Sequence, residues 1–200
     1  MTAAAAAPQN TPKIRQEKLQ ALAVVKKYAT PIACVTSFEP EEGTSRENLT
    51  GIKDVFFVER DDYQYSSSVT YYVLWGGDVG CSGGSATRNR LLTAVTRRTI
   101  IPQFIVTTHD VFEKNFPVGS DTGELNTRFI ESFKMLSPTK IEIVALNYAN
   151  EKFGGTDVGN MPANKFKYSF TYDNSGVEYD DLSEPEGKWR LINQVLLEQY

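Results

Sequence analysis

The sequence predicts an α+β domain: a largely antiparallel twisted β-sheet with an N-terminal helix and one further helix packed on it. Three observations carry this. The chain opens on apolar residues at helical spacing, then changes to short β-branched and aromatic runs broken by Gly, Pro and polar residues. Those runs do not alternate strictly with helical segments, which argues against a doubly wound parallel sheet. The turn-forming string Asp173-Asn174-Ser175-Gly176 has the chemistry expected between antiparallel strands.

Residues 1–11 read as a flexible tail and 12–200 as one globular domain, since no repeat or long linker divides the chain. Thr11-Pro12 starts the first helix, with a hydroxyl to cap free N–H groups and a proline preset for the first helical position. Ile14, Ala21, Leu22, Val25 and Ala29 then share one face, and the helix ends before Pro31. Strands follow at 32–38, 52–60, 67–75, 90–98 and 103–108. The second helix is expected from Asp121 to Leu136: Asp121 as cap, Glu124 three residues on as in a capping box, and Leu125, Phe129, Phe133 and Leu136 at helical spacing. Ser137-Pro138 stops it. Strands return at 141–148, 165–172 and 189–197.

Composition narrows the function. The chain has 200 residues, 40% of them hydrophobic and 23% charged, with a net charge of -4. Its mean hydropathy is -0.35 and its pI near 5.2. A chain of this size builds a core without help, so no cofactor is expected. The acidic balance argues against a nucleic-acid or anionic-membrane binder, and no apolar run approaches the roughly 18 residues of a membrane span. Residues 1–10 lack the basic and apolar regions of a secretory signal but resemble the small-residue, polar tail that follows one. The cysteine count is two, Cys34 and Cys81, without a CxxC neighbour. An even number beside such a tail favours a disulfide over two buried thiols, and with it an extracytoplasmic location, periplasmic or secreted.

The chemistry inventory is thin. His109 is the sole histidine, so any Ser-His-Asp or Cys-His site must use it. Asp110 beside it points to the opposite face of an extended segment, poorly placed to orient the ring. One histidine and two distant cysteines give no zinc spacing, and no metal site is expected. The acidic segment Asp173, Glu178, Asp180, Asp181, Glu184 and Glu186 lacks the frame of an EF-hand calcium loop and reads first as a solvated face.

The most distinctive string is Gly76-Gly77-Asp78-Val79-Gly80-Cys81-Ser82-Gly83-Gly84-Ser85. Residues 80–84 resemble the GDSGG motif of chymotrypsin-like serine proteases, with Ser82 in the nucleophile's place. Cys81 replaces the motif's Asp, however, and the histidine follows the serine instead of preceding it, so the family's activity is not carried over. Physically the string reads as a Gly-rich loop whose N–H groups can approach a partner closely, pinned at Cys81 if bonded. From Val79 to His109 there is no acid, while Arg88, Arg90, Arg97 and Arg98 fall in that stretch; Arg88 and Arg90 share one side of an extended strand. Tyr63, Tyr65, Tyr71, Tyr72 and Trp75 form an aromatic run, one set of which is expected in the core and the other as an exposed strip.

These features point to a non-enzymatic extracytoplasmic recognition domain, inhibitor-like, immunity-like or ligand-binding. Its binding residues would be Trp75, Asp78, Ser82, Ser85, Arg88 and Arg90, and its partner a protein or a small anionic or glycan ligand. Two alternatives stand beside it. One is a hydrolase or transferase with Cys81 or Ser82 as nucleophile and His109 as base. The other is an assembly component of a surface structure, in which exposed strand edges pair between chains.

Overall fold

The computed structural model describes residues 11–40, 49–62, 66–83, 88–119, 124–159, 161–173 and 187–200. Helix α1 spans Pro12–Ala29, and the Thr11 hydroxyl accepts from the Ile14 N–H at 3.3 Å. Lys26 and Lys27 sit in its last turn, where positive charge complements the exposed carbonyls.

The strands form two antiparallel sheets. The first holds β1 (Ala33–Thr36), β2 (Val55–Asp62), β3 (Ser67–Val79), β4 (Asn89–Arg98) and β5 (Ile101–Thr108), in the order β1-β3-β4-β5 with β2 also beside β3. Strand β3 is long enough to share one edge between two partners. Its first half, Ser67 to Val73, pairs with β2, and its far end, Gly77 to Val79, pairs with β1. The short helix α2 (Val111–Asn115) follows, capped by Asp110, whose carboxylate accepts from the Phe112 N–H at 3.0 Å. A 3-10 turn at Thr127–Phe129 leads into the second sheet: β6 (Ile130–Ser137), β7 (Lys140–Asn147), β8 (Asn164–Asp173) and β9 (Lys188–Gln199), in that order.

The first sheet is buried on both faces. Val69, Tyr71, Val73 and Trp75 alternate along β3 into a cluster with Ala21, Val25 and Ala29 of α1. On the opposite face, Leu74, Leu92 and Ala94 join Phe133, Ile143, Phe166 and Phe170 of the second sheet, with Phe112 and Phe116 of the α2 region filling the same cluster. The order of layers is therefore helix, sheet, sheet. The buried polar groups on the helix side are bonded: Trp75 Nε1 donates to Thr93 Oγ1 at 2.8 Å, and the Tyr71 hydroxyl donates to Glu17 at 2.8 Å.

Two expectations are corrected. The strands divide between two sheets, where the sequence suggested one. The helix expected from Asp121 to Leu136 is not formed: its described part is the 3-10 turn and strand β6, and Asp121 itself lies outside the described residues. The four residues at helical spacing belong to different elements: Leu125 is buried before the turn, Phe129 ends the turn, and on β6 Phe133 is buried while Leu136 is 54% exposed. The strand itself is irregular. Ile130 pairs with Ala145 and Ser132 with Val144, so Glu131 is an extra residue in the ladder. That extra residue sets the inward residues Ile130 and Phe133 three apart.

The loop expected at 76–85 is also shorter than its glycines suggest. Gly76 to Val79 continue β3, and the chain leaves the sheet only at Gly80 and Cys81, which take positive φ of 79° and 56°. Gly77 is there for close approach: a Cβ on it would lie 2.5 Å from Trp75 Cζ3 and 3.2 Å from the Val35 carbonyl oxygen.

Candidate functional site

At the end of the first sheet where β1 meets β3, the backbone makes a cleft of about 230 Å³. Val35, Thr36, Ser37 and Glu39 form one wall, Gly76 and Gly77 the floor, and Arg88, Asn89, Arg90 and Arg128 the other side. Glycine at 76 keeps that floor low: a Cβ there would lie 3.4 Å from Arg90 Nη1 and 3.7 Å from Ser37 Cβ, between the two walls. Ser37 fixes the first wall. Its hydroxyl accepts from the Gly76 N–H at 2.7 Å and pairs with Thr50 Oγ1 at 2.6 Å, while its N–H donates to the Gly76 carbonyl at 2.8 Å.

The described lining of the cleft is mostly basic. Among the described residues, three guanidinium groups line it with one carboxylate, Glu39, which is 2.6 Å from Lys26 Nζ. Arg90 is on β4 and Arg88 just precedes that strand, both lining the cleft, and Arg128 comes from the turn before β6, its guanidinium over the Phe129 ring. Asp54 lies across Arg90 in an adjoining cavity. Burial raises its pKa above the ordinary carboxylate value, against the Gly51 N–H that it accepts and the nearby Lys53 and Arg90 charges. Forked donors converging from separate elements suit a carboxylate, phosphate or sulfate group.

A disulfide between Cys34 and Cys81, with Cα atoms 5.1 Å apart, ties the β1 wall to the chain leaving β3. That wall needs the tie, because β1 is four residues long and its register with β3 shifts between Ala33 and Thr36. Both cysteines are exposed.

The sequence-predicted residues separate into three groups. Arg88 and Arg90 line the cleft together. Trp75 is fully buried against α1, and Asp78 is 5% exposed, its carboxylate accepting from the Gly83 N–H at 3.1 Å, so it shapes the loop from within. Ser82 is exposed on the loop beyond the cleft, and Ser85 lies outside the described residues. The aromatic run supplies no exposed strip among its described members: Tyr71 and Trp75 are buried on the helix side, and Tyr72 packs against the cluster between the sheets. Tyr63 and Tyr65, and the acidic segment beyond Asp173, lie outside the described residues.

Two other reactive-looking groups are accounted for by bonds. The Cys81 sulfur is in the disulfide and is no thiol. His109 is exposed just after β5, its Nδ1 hydrogen-bonded to the Tyr28 hydroxyl, while Asp110 turns away to accept from the Leu92 and Phe112 N–H groups. Arg97, in the same acid-free stretch as Arg88, points to the helix side and pairs with Glu17 at 2.5 Å.

Sequence reasoning missed Thr36, Ser37 and Arg128. The first two sit at the end of β1 and in the turn just after it, a segment that gave no chemical signal, and Arg128 reaches the cleft only through the packing of one sheet on the other. Comparison with known proteins finds no family model that matches the chain, and no curated protein or solved structure that matches it.

Proposed function

We propose that this protein is a non-enzymatic recognition domain working outside the cytoplasm, and that it holds an anionic group of its partner in the arginine cleft. The observation that carries the reading is the convergence of Arg88, Arg90 and Arg128 over the Gly76-Gly77 floor. The disulfide supports the location, since such bonds persist in oxidising compartments. Among the described residues, no helix is long and apolar enough to cross a membrane. The cysteine form of the hydrolase reading loses its nucleophile to the disulfide, and the serine form has a histidine already engaged by Tyr28.

The test uses defined anions. Inorganic phosphate and a tetra-aspartate peptide are titrated at low salt while backbone amide resonances are followed. Shifts are expected at Gly76, Gly77, Arg88, Asn89, Arg90 and Arg128. Replacing Arg90 with Ala removes one charge-assisted contact, on the order of 1.5–3 kcal/mol, and weakens binding about tenfold or more. The reading fails if both probes bind elsewhere, for instance around Arg98, or if the substitution leaves affinity unchanged. Covalent labelling of Ser82 by a fluorophosphonate would restore the hydrolase.

A further inference from the structure

Strand β9 ends the second sheet, and among the described residues its ladder is with β8 alone. Several of the exposed apolar side chains among the described residues lie there. Ile192 is 60% exposed, Val195 39%, Leu197 46% and the following Tyr200 65%. Two bulges produce part of this exposure. Ser169 pairs with Asn193 and Phe170 with Leu191, which leaves Ile192 without an opposite residue; likewise Lys165 pairs with Glu198 and Phe166 with Leu196, which leaves Leu197 over. Edge strands are ordinarily protected by charge along their length. Here the seven residues from Leu191 to Leu197 carry none, and the charges stand at the two ends: Lys188 and Arg190 positive, Glu198 negative.

That distribution is self-complementary. We infer that two copies of this chain pair edge to edge through β9, antiparallel about a two-fold axis at Gln194. In this register Arg190 of each copy faces Glu198 of the other. Leu191 faces Leu197, Ile192 faces Leu196, and Asn193 faces Val195. Backbone N–H and C=O groups along the two outer edges pair with each other, and the uncharged stretch from Leu191 to Leu197 of one copy lies along that of the other. Arg190 and Glu198 pair with Thr171 and Lys165 across the ladder, so both belong to the outer face of the sheet and can meet there. Each now has a partner within its own chain, Asp173 at 2.8 Å and Lys165 at 3.5 Å, and each remains more than half exposed, so either can extend a second contact. The pairing joins two four-stranded sheets into one and leaves the arginine cleft of each copy open, since no cleft residue lies on β9.

Sedimentation equilibrium across micromolar to millimolar protein tests the inference. The wild type should show a reversible monomer–dimer equilibrium. Arg190→Glu places two acids opposite each other at both ends of the pair, and Glu198→Arg places two bases there; each should weaken dimerisation about tenfold, because like charges directly opposed on a sheet are destabilising. The double variant Arg190→Glu with Glu198→Arg restores the complement and should recover the wild-type affinity. Amide exchange on the wild type gives an independent reading: protection of residues 190–198 should rise with concentration. The inference is overturned if the wild type sediments as a monomer at the highest concentration. It is equally overturned by a dimer indifferent to both single reversals, which would use another face, or by a double variant no tighter than the singles. Exchange unaltered by concentration in β9 would also reject it.

Discussion

Glu17 is the residue on which the attachment of α1 turns. Its carboxylate is buried beneath the helix and accepts from Arg60 Nη2 at 2.7 Å, Arg97 Nη2 at 2.5 Å and the Tyr71 hydroxyl at 2.8 Å. Burial by itself would raise its pKa. The Tyr71, Arg60 and Arg97 hydrogen bonds and the Arg60 charge outweigh that effect and hold it below its ordinary value of 4.5. A depressed folded pKa has a definite sign in the stability: the contribution is fully present above pH 4.5 and is lost as the pH falls through the lower folded value. Glu17→Gln should therefore cost roughly 3 kcal/mol near neutrality. The lower end of the range for a broken buried pair applies because both arginines keep access to water, about a quarter of each side chain being exposed. Urea unfolding measured against pH checks both parts. The gap between wild type and variant should narrow as the pH drops below 4.5, and a gap independent of pH would mean that Glu17 acts by packing and not by charge.

Among the elements, β1 is the one held most from outside itself. Its own ladder is short and irregular, so the disulfide and the Ser37 hydrogen bonds keep it in place. Reducing the disulfide should lower stability by about 4 kcal/mol in the chain-entropy picture. The loss of amide protection should be largest in residues 33–37, and protein alkylated without reductant should carry no label. Uniform loss of protection would mean that the bond braces the whole chain and not the cleft wall. Gly77→Ala strikes the same place from the other side. Its Cβ meets the Trp75 ring and the Val35 carbonyl, neither of which yields easily, and a cost of about 1–3 kcal/mol in thermal unfolding is expected.

The same elements mark what could be read from the sequence. Helix α1 was legible to the residue because its cap, its proline and its apolar face all agree. The strands β3, β4, β7 and β8 were legible from β-branched and aromatic content. Strand β6 was not, because Leu125, Phe129, Phe133 and Leu136 fall at helical spacing across a 3-10 turn and a strand, and only the pairing with β7 reveals it. The cleft was half legible on the same grounds. Arg88 and Arg90 were legible as neighbouring cations in an acid-free stretch, while Ser37 and Arg128 arrive through tertiary pairing, and the buried fate of Trp75 follows from a second layer that no local pattern announces.

At the scale of the whole molecule, β3 and β4 belong to two cores at once. One face closes against α1 and the other against the second sheet, so neither cluster can be lost without exposing the back of the strands that hold the other. The chain is longer than the roughly 150 residues within which two-state unfolding is the rule, which makes cooperativity a question for measurement. The shared strands argue for a single unit. Leu92→Ala empties a fully buried position between the sheets and should cost about 2–5 kcal/mol. Val25→Ala removes two methyl groups from the cluster under α1, for a smaller loss of about 1–2 kcal/mol. In calorimetry both variants should move the same endotherm, with calorimetric and van't Hoff enthalpies equal, although the two residues sit in different clusters. Two endotherms, one moved by Leu92→Ala and the other by Val25→Ala, would show that the layers unfold separately. The cleft would then belong partly to each unit, with Arg88 and Arg90 in one and Arg128, on the approach to β6, in the other.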